Sequence, residues 1–169
     1  MKIIFLDIDG VLNSLRSVIA LGNCSKHFDP VAVGLIDKLC EDADANVVIS
    51  SSWRYGDTES LITELYDICA RYKEPHFLDR VIGETPQLSK GVRGDEINQW
   101  LIMHGDDEEA IIETYVIIDD DNDMLLAQQP HFVQTSFNEG FILEHFWSAL
   151  RILAPEKLSK TQYFRGRTP

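Results

Sequence analysis

The chain has 169 residues and a formal net charge of −13, a size that favours one domain with a real buried core. Hydrophobic residues at 44% and charged residues at 25% are ordinary globular values, and no apolar run approaches the roughly 18–20 residues that span a bilayer. The acidic balance argues against a broad non-specific nucleic-acid surface, which works by neutralising phosphates with Lys and Arg, while leaving room for a small groove that takes one strand end.

In chain order, Ile3, Ile4, Phe5 and Leu6 read as a short buried strand that ends in Asp7, Ile8, Asp9 and Gly10. This N-terminal run is too short for a signal peptide and terminates in acids, so a soluble, cytoplasmic protein is expected. Residues 13–28 read as irregular. Asp29-Pro30 then has the pattern of an N-cap and first helical position, followed by an apolar face of Val33, Ile36, Leu39 and Cys40. Val47–Ile49 reads as a second buried strand, ending at Ser50, Ser51, Ser52, Trp53 and Arg54. Asp57 or Thr58 caps a helix carrying Leu61, Leu65 and Ile68, and a third strand is expected over Asp79–Gly83. Gly94 to His104 reads as a helix, Tyr115–Ile118 as a fourth strand running into Asp119-Asp120-Asp121-Asn122-Asp123, and Met124–Gln129 as a short helix stopped by Pro130. His131–Val133 is a fifth strand and Ile142–Leu153 a last helix. Three cysteines (Cys24, Cys40, Cys69) at wide, irregular gaps form neither a disulfide framework nor a zinc site, and the five scattered histidines show no ligand pair.

Alternating strands and helices of this length predict an α/β, Rossmann-like three-layer sandwich around a five-stranded parallel sheet. Ligands of such sheets lie beyond the carboxyl ends of the strands, where strand order reverses. Asp7 and Asp9 follow the first strand, Ser50 the second, and Asp119 and Asp120 the fourth, so all three groups converge on one crevice. Gathered carboxylates raise one another's pKa values, and a divalent cation relieves them; an all-oxygen donor set favours Mg²⁺. Such an ion also neutralises a phosphoryl group in transit. Ser50 offers a hydroxyl to a second phosphoryl oxygen, and Lys90 or Arg93 a cation to a third. One carboxylate serves as nucleophile and another as acid and base, roles that Asp7 and Asp9, two apart, are placed to divide. Trp53 fits core better than a base-stacking platform. Arg54 fits a surface salt bridge or a substrate contact, and Asp121 and Asp123 read as solvated.

The segments FLDIDGVLN, VVISSSWR, RGDEINQWL and YVIIDDD resemble, in order and spacing, the four motifs of the haloacid dehalogenase (HAD) superfamily. Within it, FDPVAVGLIDKL, VIGETPQL and FVQTSFNEGF are similar to the phosphatase domain of "Swiss Army knife" RNA-repair proteins. The resemblance implies that Asp7 is nucleophile and metal ligand, and that Asp9 is the general acid/base with its backbone carbonyl on the metal. It implies a phosphate-binding Ser50, with Ser51 the alternative one residue on, and Asp119 and Asp120 at the Mg²⁺. Where the family usually has Lys, this chain offers Arg93 or Lys90; Arg93 is favoured because its fork suits phosphate. An acid at position 9 favours phosphoryl transfer over carbon–halogen chemistry within the superfamily.

About twenty residues separate Gly10 from the helix at Pro30, and fewer lie between the helix ending near His104 and Tyr115, so no full cap domain is expected. The implied division is a HAD-like phosphatase domain over residues 1–154 and a basic C-terminal tail over 155–169, the latter either solvated or an arm on a phosphate backbone. The expected activity is a Mg²⁺-dependent phosphomonoesterase acting on RNA or DNA ends (a 3′-phosphate) or nucleotides. The rivals are a small-metabolite phosphatase with loop-gated access and a non-catalytic binding or regulatory module on the same fold. No membrane partner is expected, and the oligomeric state is unknown.

Overall fold

A computed structural model describes residues 1–21, 28–54, 57–70, 74–89, 91–105 and 111–158. Five strands form one parallel sheet: β1 (Lys2–Leu6), β2 (Ala45–Ile49), β3 (Val81–Glu84), β4 (Thr114–Asp119) and β5 (Phe132–Gln134), in the order β3-β2-β1-β4-β5. The α/β architecture read from the alternating pattern is therefore the one observed. In register, Leu6 lies beside Ile49 on one side and Ile118 on the other. The ladder continues one step further, with the Asp7 N–H donating to the Ile118 carbonyl at 3.0 Å and the Ser50 N–H to the Leu6 carbonyl at 2.8 Å. Strand order reverses about β1, so the crevice of such a sheet opens between the ends of β1 and β4.

Alternation along the strands sorts the core into two layers. Ile4, Leu6, Val47, Ile49, Val116 and Ile118 face helices α2 (Pro30–Ala43), α3 (Thr58–Cys69) and α5 (Leu143–Leu153), which bring Ile36, Leu39, Leu65, Phe146 and Leu150. On the other face Ile3, Phe5, Val48 and Ile117 meet Ile97 and Trp100 of α4 (Arg93–His104) together with Met124. The Phe5 ring lies edge-on to Trp100 at 5.3 Å and to Tyr115 at 5.8 Å. The strands are apolar on both sides because both sides are covered. Cys40 and Cys69 are buried free thiols, each pushed up to about 12 by burial; Cys24 lies outside the described residues.

Two helix starts follow the expected chemistry. Asp29 caps α2, its carboxylate accepting from the Val31 N–H at 2.8 Å with Pro30 at the first position, and Asp57 caps α3 through the Ser60 N–H. Three expectations are corrected. Within the stretch read as irregular, Leu15–Leu21 is a helix, α1. Its only buried residue is Ser17, whose hydroxyl exchanges hydrogen bonds with Ser14, so no apolar stripe marks it. The third strand starts at Val81, after a 3₁₀ turn over His76–Arg80. The helix expected over Met124–Gln129 is instead a 3₁₀ helix, Leu126–His131, with Pro130 inside it. Pro130 offers no N–H for an α-helical bond, and the Gln128 side chain binds the Leu125 N–H and the Gly94 carbonyl instead. A further helical turn, α6, spans Pro155–Leu158; the rest of the basic tail, with Lys160, Arg165 and Arg167, lies outside the described residues. Among the described residues no helix is long and apolar enough to cross a membrane.

Asp29 also pairs with Arg16 of α1 at 2.6 Å, tying α1 to the start of α2. Asp29→Ala is expected to lower stability by about 1–2 kcal/mol, measured by urea unfolding; Asp29→Asn, which keeps the cap and loses only the half-exposed ion pair, should cost less.

Candidate active site

The parallel register brings the acids at the ends of β1 and β4 together. Asp7, Asp119 and Asp120 each offer a carboxylate oxygen, and the three atoms lie within 4.8 Å of one another. Asp7 and Asp119 are buried, at 5% and 1% exposure. Gly10 permits this approach: its φ is +70°, and a Cβ there would run into the Asp120 carboxylate. The Thr135 hydroxyl donates to the Gly10 carbonyl at 2.8 Å, holding the turn after β1 against the segment after β5.

Arg93, the first residue of α4, reaches into this cluster. Its Nε donates to Asp119 Oδ2 at 3.1 Å, its Nη2 lies 3.6 Å from Asp7 Oδ1, and its Nη1 lies 3.7 Å from Glu96 Oε2. The alternative cation, Lys90, lies outside the described residues. Asp123, read from sequence as solvated, instead caps α4, its Oδ2 accepting from the Arg93 N–H at 2.9 Å. Asp121 is exposed, and its N–H donates to Asp119 Oδ1 at 2.9 Å.

Burial raises the Asp7 carboxyl to about 6, against the opposing pull of Arg93 and hydrogen bonds from the Ser51 hydroxyl and the Ile8 N–H. Burial and then the Asp7 charge raise Asp119 to about 8, with Arg93 again opposing. Asp120 is raised by burial first, then by Asp121, with Asp9 adding to it. Three acids that hinder one another's ionisation are a strained arrangement for a protein without a cation.

The serine pair divides. Ser51 is fully buried, and its hydroxyl favours the ionised form of Asp7, whereas the Ser50 hydroxyl accepts from Thr85 at 3.4 Å. The Asp9 carboxylate stands apart from the three-acid cluster: Oδ1 accepts from Asn13 Nδ2 at 2.6 Å and Oδ2 from Trp53 Nε1 at 2.8 Å. Arg54 is not at the surface, which corrects the surface-salt-bridge reading. Its side chain is 4% exposed and pairs with Glu96 at 2.8 Å, while Nε donates to the Ser51 carbonyl and Nη1 to the Thr85 carbonyl and hydroxyl at 2.6 and 2.5 Å. With its nitrogens engaged inward, Arg54 still lines a groove of about 690 Å³ shared with Arg93, Gln87, Ser89 and Asp123.

Sequence reasoning passed over Glu96 and Asn13. Glu96 is the informative omission, since it joins Arg54 to Arg93 and accepts from the Leu88 N–H at 3.1 Å. A Glu three residues into a helix reads as an ordinary first-turn acid; only its burial, at 7% exposure, marks it.

The donor set suits a hard divalent cation. Asp7 Oδ1 is buried with no hydrogen-bond partner, an expensive state for a carboxylate oxygen that a metal ion at the three-acid cluster would relieve. No curated protein and no solved structure matches the chain. The model of the family described as the HAD domain in Swiss Army Knife RNA repair proteins matches residues 3–146. That span contains every carboxylate of the cluster, and with it the catalytic architecture of the HAD superfamily: the chain belongs to the family of HAD domains found in Swiss Army Knife RNA repair proteins.

Proposed function

We propose that this protein is a Mg²⁺-dependent phosphomonoesterase that works through an aspartyl-phosphate and acts on phosphorylated nucleic-acid ends, a 3′-phosphate first among them, or on nucleotides. The observation that carries the reading is the meeting of Asp7, Asp119 and Asp120 beside a buried oxygen of Asp7 that no hydrogen bond satisfies, with Arg93 3.6 Å from that same oxygen.

The Asp7, Asp119 and Asp120 side chains would hold Mg²⁺, with the Asp9 backbone carbonyl, as the family pattern implies. When bound, the ion neutralises charge on the carboxylates and on the phosphoryl oxygens. An Asp7 oxygen attacks phosphorus while the bond to the leaving oxygen breaks, and Asp9 gives that oxygen its proton. In the second half, a water gives a proton to Asp9 and its oxygen attacks phosphorus. The bond to Asp7 then breaks, releasing phosphate and restoring both carboxyl groups. Ser51, whose hydroxyl favours the ionised form of Asp7, takes the phosphate-binding role in preference to Ser50, whose hydroxyl is engaged with Thr85. Arg93 holds another phosphoryl oxygen through its fork. The groove beside Arg93 offers room for a substrate larger than the phosphate itself, and the family's description favours RNA as its source. The net charge of −13 favours the second reading, a small phosphate ester, because few cations are available to follow a long backbone.

Asp7→Asn is expected to abolish turnover, by at least about a thousandfold, since the nucleophile is lost; near-wild-type hydrolysis of an aryl phosphate by this variant ends the proposal. A panel of oligonucleotides carrying 3′-, 5′- and 2′,3′-cyclic phosphates, mononucleotides and sugar phosphates decides the substrate. Preference for the 3′-phosphorylated oligonucleotide is expected, and preference for sugar phosphates transfers the site to the small-ester reading.

The raised carboxyls set a pH dependence for the metal. Between about pH 4 and pH 8 the folded, metal-free protein keeps protons that the unfolded chain releases, so its stability falls as pH rises through that window. Magnesium competes with those protons and binds better as pH rises. Millimolar Mg²⁺ is therefore expected to raise the melting temperature by several degrees at about pH 8.5 and by clearly less at about pH 5. An equal or larger gain at the acid pH contradicts the three-acid site.

A further inference from the structure

Trp53 has the composition of a core residue, and its ring does pack on Phe28, with centroids 5.8 Å apart. Its polar edge has a separate task. Nε1 donates to Asp9 Oδ2 at 2.8 Å, across a sequence separation of 44 residues. The other oxygen of Asp9 accepts from Asn13 Nδ2 at 2.6 Å. The Asn13 amide cannot be turned over without loss, because its Oδ1 takes the Gly10 N–H at 3.0 Å, so the amino group must face Asp9. An indole N–H can only donate. Both oxygens are thus gripped from different directions, one by the turn after β1 and the other by the turn after β2, and the plane of the carboxyl group is set.

We propose that Trp53 is a positioning residue, whose indole N–H, with the Asn13 amide, holds Asp9 in the orientation from which it exchanges protons with the leaving oxygen and the attacking water. This rests on the reading of Asp9 as acid and base. In the first half-reaction the electron pair of the breaking phosphorus–oxygen bond stays on the leaving oxygen, and the proton from the Asp9 carboxyl neutralises it. An alkyl leaving group, such as a ribose oxygen, needs that proton in the transition state; a nitrophenolate leaves without it. A misaligned Asp9 therefore penalises alkyl esters selectively, whereas a merely loosened fold slows all esters alike.

The test compares kcat/KM, which covers the steps up to departure of the leaving group, for glycerol phosphate and p-nitrophenyl phosphate with Mg²⁺. The proteins are wild type, Trp53→Phe and Asp9→Asn. Phe retains a ring against Phe28 and removes the N–H. Trp53→Phe is expected to lose about tenfold more on glycerol phosphate than on p-nitrophenyl phosphate, and Asp9→Asn about a hundredfold more, in line with the usual worth of a general acid. Equal losses on both esters in Trp53→Phe, beside a graded loss in Asp9→Asn, overturn the positioning role. Equal losses in Asp9→Asn overturn the acid role beneath it.

Discussion

Mutual repulsion among three carboxylates at the ends of β1 and β4 is the constraint around which this molecule is arranged. Asp7 and Asp119 are buried and neighbouring, a combination that disfavours their charged forms and persists only beside a counter-charge. Arg93 supplies one, and its location follows from the start of α4, which Asp123 caps. Gly10 lets Asp120 close over the same point. The sheet's hydrophobic layers supply the stability against which this polar strain is held.

Around that centre the polar residues form two supports. On one side Arg54 joins the chain after β2 to α4: it binds the Ser51 carbonyl and, through Glu96, reaches Arg93. The serine and the arginine proposed to hold phosphate are therefore parts of one buried frame, so their separation is set in advance. On the other side Asn13 and Trp53 grip Asp9. The proposed nucleophile and the proposed acid, two residues apart in sequence, meet different side chains. Such separation means that a change in the partners of one carboxylate need not disturb the other.

The strands were legible because both faces of the sheet are covered, which leaves continuous apolar runs at Ile3–Leu6, Val47–Ile49 and Tyr115–Ile118. The capped starts of α2 and α3 were legible because an Asp before Pro30 or Thr58 has a local reason to be there. Helix α1 was not, since it turns Ser17 inward and leaves Ile19 outward, and propensity alone is a weak signal. The 3₁₀ segment at Leu126–His131 was misread because the Gln128 side chain ties its start to the Gly94 carbonyl, 34 residues away.

For the site, the sequence by itself determined which residues end the strands, and therefore that Asp7, Asp119 and Asp120 share one edge of a parallel sheet. That much is local: a strand's apolar run and the polar residue that ends it are neighbours in the chain. Only the tertiary structure decided that Arg54 faces inward and that the Trp53 indole meets Asp9. Those outcomes turn on hydrogen bonds between segments more than forty residues apart, which packing of the helices on the sheet sets and no periodicity along the chain records.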